Sequence, residues 1–450
     1  MSSSSKVPAG RLARLGGFAS LAGKLAGGML AEGAKRLAKG ESGSRMELLL
    51  TPSNLKRVTS QLAHMRGAAM KLGQLLSMDA GDLLPTELAD MLARLRDNAN
   101  PMPPKQLAAV LKAELGEDWQ RHFADFTFKP MAAASIGQVH RAEHDNGTQL
   151  AVKVQYPGVR QSISSDVDNA ATLLRISGLL PQGVDYQALL NEAKVQLSRE
   201  ADYLQEAAFM MRFQQALSDS PDFLLPTPWM DLCRPGVLVM HYVEGVPVES
   251  LQSQPQALRD KVVTQLFSLL FRELFEFQLV QTDPNFANYR YNEETEQLVL
   301  LDFGACREYI QAFSDAYRQL FAASLQHDQS GMDQALTTIG FFSEQIASEQ
   351  RLRVLELVKL ACEPLQQDAP FDFGQSDLAL RLREAGTALS FQHNYWHTPP
   401  ADAIFLHRKI GGLYLLAARL KACVNVRALL QPYLHSGSGT TMASATRAAQ

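Results

Sequence analysis

Four side chains are spaced along the chain in a way that suits phosphate chemistry. Lys153 lies inside the alternating run Gln149-Leu-Ala-Val-Lys-Val-Gln155, just after the small-residue stretch Ala132-Ala133-Ala134-Ser135-Ile136-Gly137-Gln138-Val139. An ammonium in that position can pair with phosphate oxygens, although a lone strand lysine can equally snorkel to solvent. Asp283 and Asn288 stand five residues apart in Gln281-Thr-Asp-Pro-Asn-Phe-Ala-Asn288. Fourteen residues further on, Asp302-Phe303-Gly304 follows directly on the apolar run Gln297-Leu-Val-Leu-Leu301. A strand that ends on an aspartate holds the carboxylate rigidly. Asn288 and Asp302 offer the hard oxygens that Mg²⁺ prefers, and bound phosphates supply others. The Asp283 carboxylate can accept or orient a substrate proton. A second Asp-Phe-Gly, Asp372-Phe373-Gly374, follows a polar, proline-containing stretch with no Asp-Asn pair upstream, and reads as a loop without chemistry.

The elements that must carry these residues are legible in outline. The chain has 450 residues, 46% hydrophobic and 20% charged, with mean hydropathy −0.12, so it can bury a substantial core. Its net charge of −4 points to no nucleic-acid partner. Cys233, Cys306, Cys362 and Cys423 are far apart and form no CxxC pair, so they read as buried small residues in a reducing compartment. His393 and His397 have helix-type metal spacing, but aromatic and proline surroundings point to a loop rather than a metal site. No run of about 20 apolar residues would span a bilayer. The most apolar candidate, Val262 to Val280, contains Gln265, Arg272, Glu273 and Glu276 and reads as a core helix.

Segment by segment, residues 1–45 carry eight Lys/Arg against two Glu, a local +6 that leaves −10 on the remainder. They read as a basic, Gly/Ala-rich amphipathic helix for an anionic lipid surface, with a floppy arm or a transit peptide as alternatives. Residues 46–125 form a helical extension, 126–245 a small unit with β-runs such as Gln149–Gln155 and Pro235–Tyr242, and 246–435 a mostly helical unit. Residues 436–450 read as a disordered polar tail. The stretch Tyr186 to Ala216 reads as helical.

The order of loop, lysine, D-x-x-x-x-N and DFG is that of a protein kinase. The departures are equally informative. Ala132 and Ala134 stand where the first two loop glycines belong, and alanine resists the positive φ that brings backbone amides against phosphate. Gln281-Thr282 replaces His-Arg, and no Ala-Pro-Glu follows Asp302, so the platform for a peptide substrate is missing. Tyr242-Val-Glu244 lies where a kinase hinge would offer backbone groups to adenine.

The set AAASIGQVH, KLGQ (Lys71 to Gln74), VKVQYPGV, EADY (Glu200 to Tyr203), TDPNFAN, LLDFGACREY and LHRKIGGLYLLAARLKA resembles the UbiB family of atypical kinases, in the branch associated with coenzyme Q biosynthesis. The resemblance covers roughly Met46 to Val426. It implies an α+β, protein-kinase-like bilobal fold, with a small β-containing N-lobe, a mostly helical C-lobe and an N-terminal helical extension. It implies ATP (or ADP) and Mg²⁺ as cofactors. Lys71, Gly73 and Gln74 match a K-x-G-Q signature that covers the site, Glu200 and Asp202 the E-x-D motif, and Glu206 the helix glutamate; Glu206 or Glu200 is expected to pair with Lys153. Residues four apart share a helix face, so Asp202 and Glu206 are both expected to face Lys153. The alanine-rich loop is expected to limit ordinary protein-kinase behaviour. The implied activity is phosphotransfer or ATP hydrolysis in support of ubiquinone synthesis, on a small or lipid-like substrate. The alternative is a nucleotide-binding pseudokinase scaffold. Expected partners are an anionic membrane surface, quinone-biosynthesis enzymes and a second copy of the chain. The expected location is the cytoplasmic face of a bacterial inner membrane, or the matrix side in a mitochondrion.

Overall fold

The computed structural model describes residues 101–176, 186–342, 346–391 and 399–434. The basic N-terminal segment, Lys71 and Gln74 of the helical extension, the His393–His397 pair and the polar tail lie outside the described residues. The chain divides into two compact units. One takes the chain as far as Glu244 together with Val299–Ala305, and the other takes Gly245–Leu298 and the chain from Cys306 onward.

In the first unit, helix α1 (Pro104–Leu115) precedes strands β1 (Asp125–Phe126), β2 (Ala132–Ala133), β3 (Gly137–Glu143) and β4 (Gln149–Gln155). Helices α2 (Val159–Ile176), α3 (Tyr186–Glu200) and α4 (Tyr203–Ala216) follow, then β5 (Phe223–Leu224) and β6 (Val237–His241). The strands form an antiparallel sheet in the order β1-β3-β4-β6, with β2 also paired to β3. β4 is central, and all of its residues except Gln149 are buried. Alternation of side chains along the strand sets its two faces. Leu150, Val152 and Val154 pack with Leu107 and Leu111 of α1, Trp119, Val237 and Val239 in one apolar core. Ala151, Lys153 and Gln155 therefore belong to the opposite face. The sequence pattern placed the lysine in a strand, and the register places it between Val139 of β3 and Leu238 of β6.

The helical stretch expected over 186–216 is two helices. The chain breaks at Ala201-Asp202, and Gln155 on the Lys153 face of β4 bonds the freed backbone: its Nε2 donates to Ala201 O at 2.7 Å and to Pro235 O at 3.1 Å. Asp202 then caps α4, its Oδ1 accepting from Leu204 N at 3.1 Å. The start of α4 is thus tied to the strand that carries Lys153.

The second unit contains β7 (Val246–Pro247), α5 (Gln256–Arg272), β8 (Leu279–Gln281), β9 (Tyr289–Asn292) and β11 (Cys306–Glu308); between β9 and β11 the chain forms β10 (Gln297–Leu300, the strand leading toward Asp302), whose last two residues are counted with the first unit. Beyond them come α6 (Gln311–Leu325), α7 (Gln329–Ile339), α8 (Ser348–Ala361), β12 (Phe371–Asp372), α9 (Leu378–Phe391), α10 (Ala401–Leu420), β13 (Cys423–Val424) and α11 (Val426–Leu434). The core helix expected over Val262 to Val280 ends early. α5 stops at Arg272, a π turn spans Glu273–Phe277, and left-handed Gln278 (φ 52°) starts β8. β8 pairs with β11, Gln281 opposite Cys306. The chain after Gly304 therefore enters a three-residue strand before helix α6.

Asp372-Phe373-Gly374 has a structural part. Asp372 Oδ1 accepts from Gly374 N at 2.9 Å, and buried Phe373 stacks on Phe267 at 5.5 Å between ring centroids. Cys233, Cys306 and Cys362 are buried as expected, but Cys423 is only half-buried because it lies on short strand β13.

Candidate active site

Lys153 is almost fully buried, and its Nζ lies 2.7 Å from Glu206 Oε1, 2.9 Å from Glu206 Oε2 and 3.4 Å from Asp302 Oδ2. Three elements distant in sequence meet here: β4, α4 and the turn after β10. Phe303 packs on Phe213 of α4 at 5.0 Å, two turns beyond Glu206, and so anchors that turn against the helix. Gly304 N donates to Asp302 Oδ1 at 2.9 Å. A Cβ on Gly304 would lie 3.3 Å from both Asp302 Oδ1 and Glu206 Oε2, so glycine permits the close approach.

Of the two acids expected to face Lys153, only Glu206 does. Asp202 caps α4, because the break at Ala201 puts it outside the helix, where the four-residue rule does not apply. Glu200 ends α3, and Ser135 Oγ donates to its Oε2 at 3.5 Å. Burial pushes the Glu206 carboxyl up to about 7, against the pull of Lys153. Burial alone would lower the Lys153 ammonium, but Asp302 and Glu206 beside it hold it well above its ordinary value. A carboxylate raised in the folded state contributes stability at low pH that is lost as pH rises through the folded value. Wild-type stability is therefore expected to fall between about pH 5 and pH 7, at up to about 1.4 kcal/mol per pH unit. Glu206→Gln should lack that slope. Denaturant titrations of both proteins at pH 5, 6, 7 and 8 check it; parallel curves would refute the assignment.

The small-residue loop explains its own composition. Ala132 and Ala133 form β2, opposite Val139 and Gln138. Ala134 N donates to Gly137 O at 3.0 Å, and none of these alanines has positive φ. The loop is a tight hairpin in ordinary backbone conformations, so alanine is tolerated where a glycine-rich loop needs left-handed residues. Gly137 is required for a different reason. A Cβ there would overlap the Val154 carbonyl oxygen and come 2.9 Å from the Tyr203 hydroxyl. Gly137→Ala is expected to cost about 1–3 kcal/mol through overpacking, whereas Ala134→Gly keeps the fold. Thermal unfolding of the two variants decides this, and equal melting temperatures would contradict it.

Tyr203, to which the sequence assigned no role, is fully buried beneath this loop, with Lys153 Nζ 5.0 Å from its ring centroid. Its position at the first turn of a helix, three residues before Glu206, was the available signal. At the expected hinge, Tyr242 N already donates to Gln149 O at 2.9 Å, and Arg141 stacks on the Tyr242 ring at 4.0 Å.

Asp283 and Asn288 belong to the second unit. Their spacing is realised as a compact turn. Asn285 N donates to Asp283 Oδ1 at 3.3 Å, Asn285 Oδ1 accepts from Ala287 N, and Asn288 Nδ2 donates to Asp283 Oδ2 at 3.2 Å. With the amide nitrogen directed to Asp283, the amide oxygen of Asn288 is the atom left for a cation.

The side chains fit a magnesium nucleotide. Glu206 is 1% exposed and engaged with Lys153, whereas the Asp302 side chain is 34% exposed. Two carboxylates around one ammonium leave a negative excess on hard oxygens, which suits a small divalent cation.

Residues 94–336 match the model of the ABC1 atypical kinase-like domain. The chain belongs to the ABC1 atypical kinase family. The rat "Atypical kinase COQ8B, mitochondrial" (Rattus norvegicus) is 38% identical over 96% of this chain and 81% of its own length. The Saccharomyces cerevisiae "Atypical kinase COQ8, mitochondrial" is 35% identical over 95% and 85%. The Pseudomonas putida "Probable protein kinase UbiB" is 29% identical over 74% and 63%. Among solved structures, Rv3197 of Mycobacterium tuberculosis, determined with erythromycin, superposes with TM-score 0.58 at 24% identity, covering 84% of this chain and 95% of that one. The α+β, kinase-like fold and the UbiB-type membership expected from the motifs hold. Within the ABC1 atypical kinase family, Lys153, Glu206 and Asp302 occupy the matched span; Lys71 and Gln74 precede it.

Proposed function

We propose that this chain is a magnesium-nucleotide-dependent atypical kinase or ATPase that supports ubiquinone synthesis at a membrane, with a small or lipid-like molecule, or water, as phosphate acceptor. The observation that carries the reading is the cluster of Lys153, Glu206 and Asp302. Lys153 holds nucleotide phosphates, and Glu206 fixes the direction of its ammonium. Asp302 is the metal-holding carboxylate of this cluster, and Mg²⁺ would supply neutralisation of charge on the phosphates; the Asn288 amide oxygen is a metal-ligand candidate from the D-x-x-x-x-N pattern. Asp283 orients the acceptor oxygen or takes its proton. Ala132–Ser135, Gly137 and Val139 line the phosphate side; a part for Lys71 and Gln74 rests on the K-x-G-Q resemblance alone.

A peptide acceptor is disfavoured by the chain after Gly304. It runs through β11 into α6 without the Ala-Pro-Glu segment that follows the DFG motif in protein kinases. Among the described residues no helix is long and apolar enough to cross a membrane. The basic composition of residues 1–45 suits attachment to an anionic membrane surface, at the cytoplasmic face of a bacterial inner membrane or the matrix side of a mitochondrial one. The mitochondrial names of several relatives support the organellar setting.

The test is phosphate release from Mg-ATP by purified full-length protein, with vesicles of anionic or of purely zwitterionic lipid. Release stimulated by the anionic vesicles is the expected result. Absence of nucleotide binding under any condition would overturn the reading.

A further inference from the structure

Helix α10 carries the motif LHRKIGG, to which the functional reading gives no role. One face of it presents Asp402, Phe405, Lys409 and Gly412, at steps of three and four residues. Each touches a segment next to the proposed chemistry. Asp402 Oδ1 accepts from Arg307 Nη2 at 2.7 Å and Nε at 3.0 Å, and its backbone oxygen accepts from Tyr309 OH at 3.1 Å. The Arg307 guanidinium lies 4.4 Å from the Phe405 ring centroid. These contacts fix the strand that follows Gly304.

The lower half of the face holds the Asp283–Asn288 turn. Lys409 Nζ donates to Tyr289 OH at 2.8 Å and to Gln281 Oε1 at 3.4 Å, and lies 3.2 Å from Glu273 Oε2. Tyr289 OH donates to Gln281 Oε1 at 3.3 Å, and Gln281 N to Glu273 Oε1 at 3.5 Å. Gln281 and Tyr289 are the two ends of the turn, so one buried cluster grips both. The π turn at Glu273–Phe277 carries Glu273 into it. One helical turn along, a Cβ on Gly412 would sit 2.5 Å from Pro284 Cβ, so the middle of the turn rests on the bare backbone of α10.

Lys409 and Glu273 are each 1% exposed. A pair buried to that extent rarely adds stability over apolar residues of the same volume, but it fixes geometry strictly. Burial lowers the Lys409 ammonium, but Glu273 and Tyr289 hold it above its ordinary value.

We infer that α10 positions the catalytic turn: Lys409 and Glu273 clamp its ends, and Gly412 sets the height of Pro284 and with it Asp283 and Asn288. These are positioning residues, and the inference rests on the reading of Asp283 and Asn288 under Proposed function. Lys409→Met alone would strand a buried carboxylate, so the informative variant is Lys409→Met/Glu273→Met, which removes both charges. It is expected to keep the wild-type melting temperature and ADP affinity, while kcat for phosphate release falls about 100-fold, the cost of a misplaced catalytic group. Gly412→Ala should lower kcat in the same way with KM unchanged. Gly411→Ala, whose Cβ would meet nothing within 4 Å, should leave kcat intact and is the control. Hydrogen exchange of amides 282–288 supplies a readout that needs no turnover: faster in Lys409→Met/Glu273→Met and in Gly412→Ala, unchanged in Gly411→Ala. Wild-type kcat and exchange in those two variants would overturn the inference. If wild-type protein shows no turnover at all, the functional reading fails, and the exchange comparison alone decides the positioning role.

Discussion

Asp302→Asn is expected to lower nucleotide turnover by about 10³-fold while the protein stays folded. The substitution keeps the side-chain volume and an oxygen able to accept from Gly304 N, so the turn after β10 retains its form. Lys153 also keeps its closer partner, Glu206 at 2.7 Å. What disappears is the charge of the partly exposed carboxylate proposed to hold Mg²⁺. A neutral amide is a much poorer ligand for Mg²⁺, so the loss should appear as weaker Mg²⁺ dependence and lower kcat, with little change in melting temperature. Phosphate release across a Mg²⁺ titration is the measurement. Turnover near the wild-type level would remove Asp302 from the metal site. A variant inactive in the tube that still sustains ubiquinone levels in cells would favour the scaffold alternative.

Lys153→Met tests the other side of the cluster and should damage both binding and stability. It leaves Glu206, 1% exposed, with Asp302 nearby and no cation between them. Removing one member of a buried pair costs about 3–5 kcal/mol. Nucleotide binding should be lost with the phosphate-holding charge. The double variant Lys153→Met/Glu206→Leu separates the two effects, since an apolar pair of similar volume relieves the stranded carboxylate. It should regain most of the stability in a denaturant melt and still bind no nucleotide. If it binds ADP as the wild type does, Lys153 does not hold phosphate. If it stays as unstable as the single variant, Glu206 is not the group left uncompensated.

Much of this protein is written locally. The alternation in Gln149–Gln155 specified β4 to the residue, and Asp302-Phe-Gly after an apolar run specified a strand delivering an aspartate. Motif order and wording were enough for the family, because both are properties of the linear chain. The tertiary structure decided what depends on contacts between distant residues. Glu206 is 53 positions from Lys153 and Asp302 is 149, and no local pattern states that they meet. Choosing Glu206 over Asp202 required the helix break at Ala201, which a β4 glutamine stabilises from 46 residues away. The alanine loop was judged by the conformation a glycine loop would need, but its hairpin pairing with β3 makes that conformation unnecessary. Lys409 and Glu273 show the limit most plainly. In sequence each is a charge interrupting an apolar run, easily assigned to a solvated helix face. Only the fold brings the two together, because burial makes each charge tolerable solely in the presence of the other.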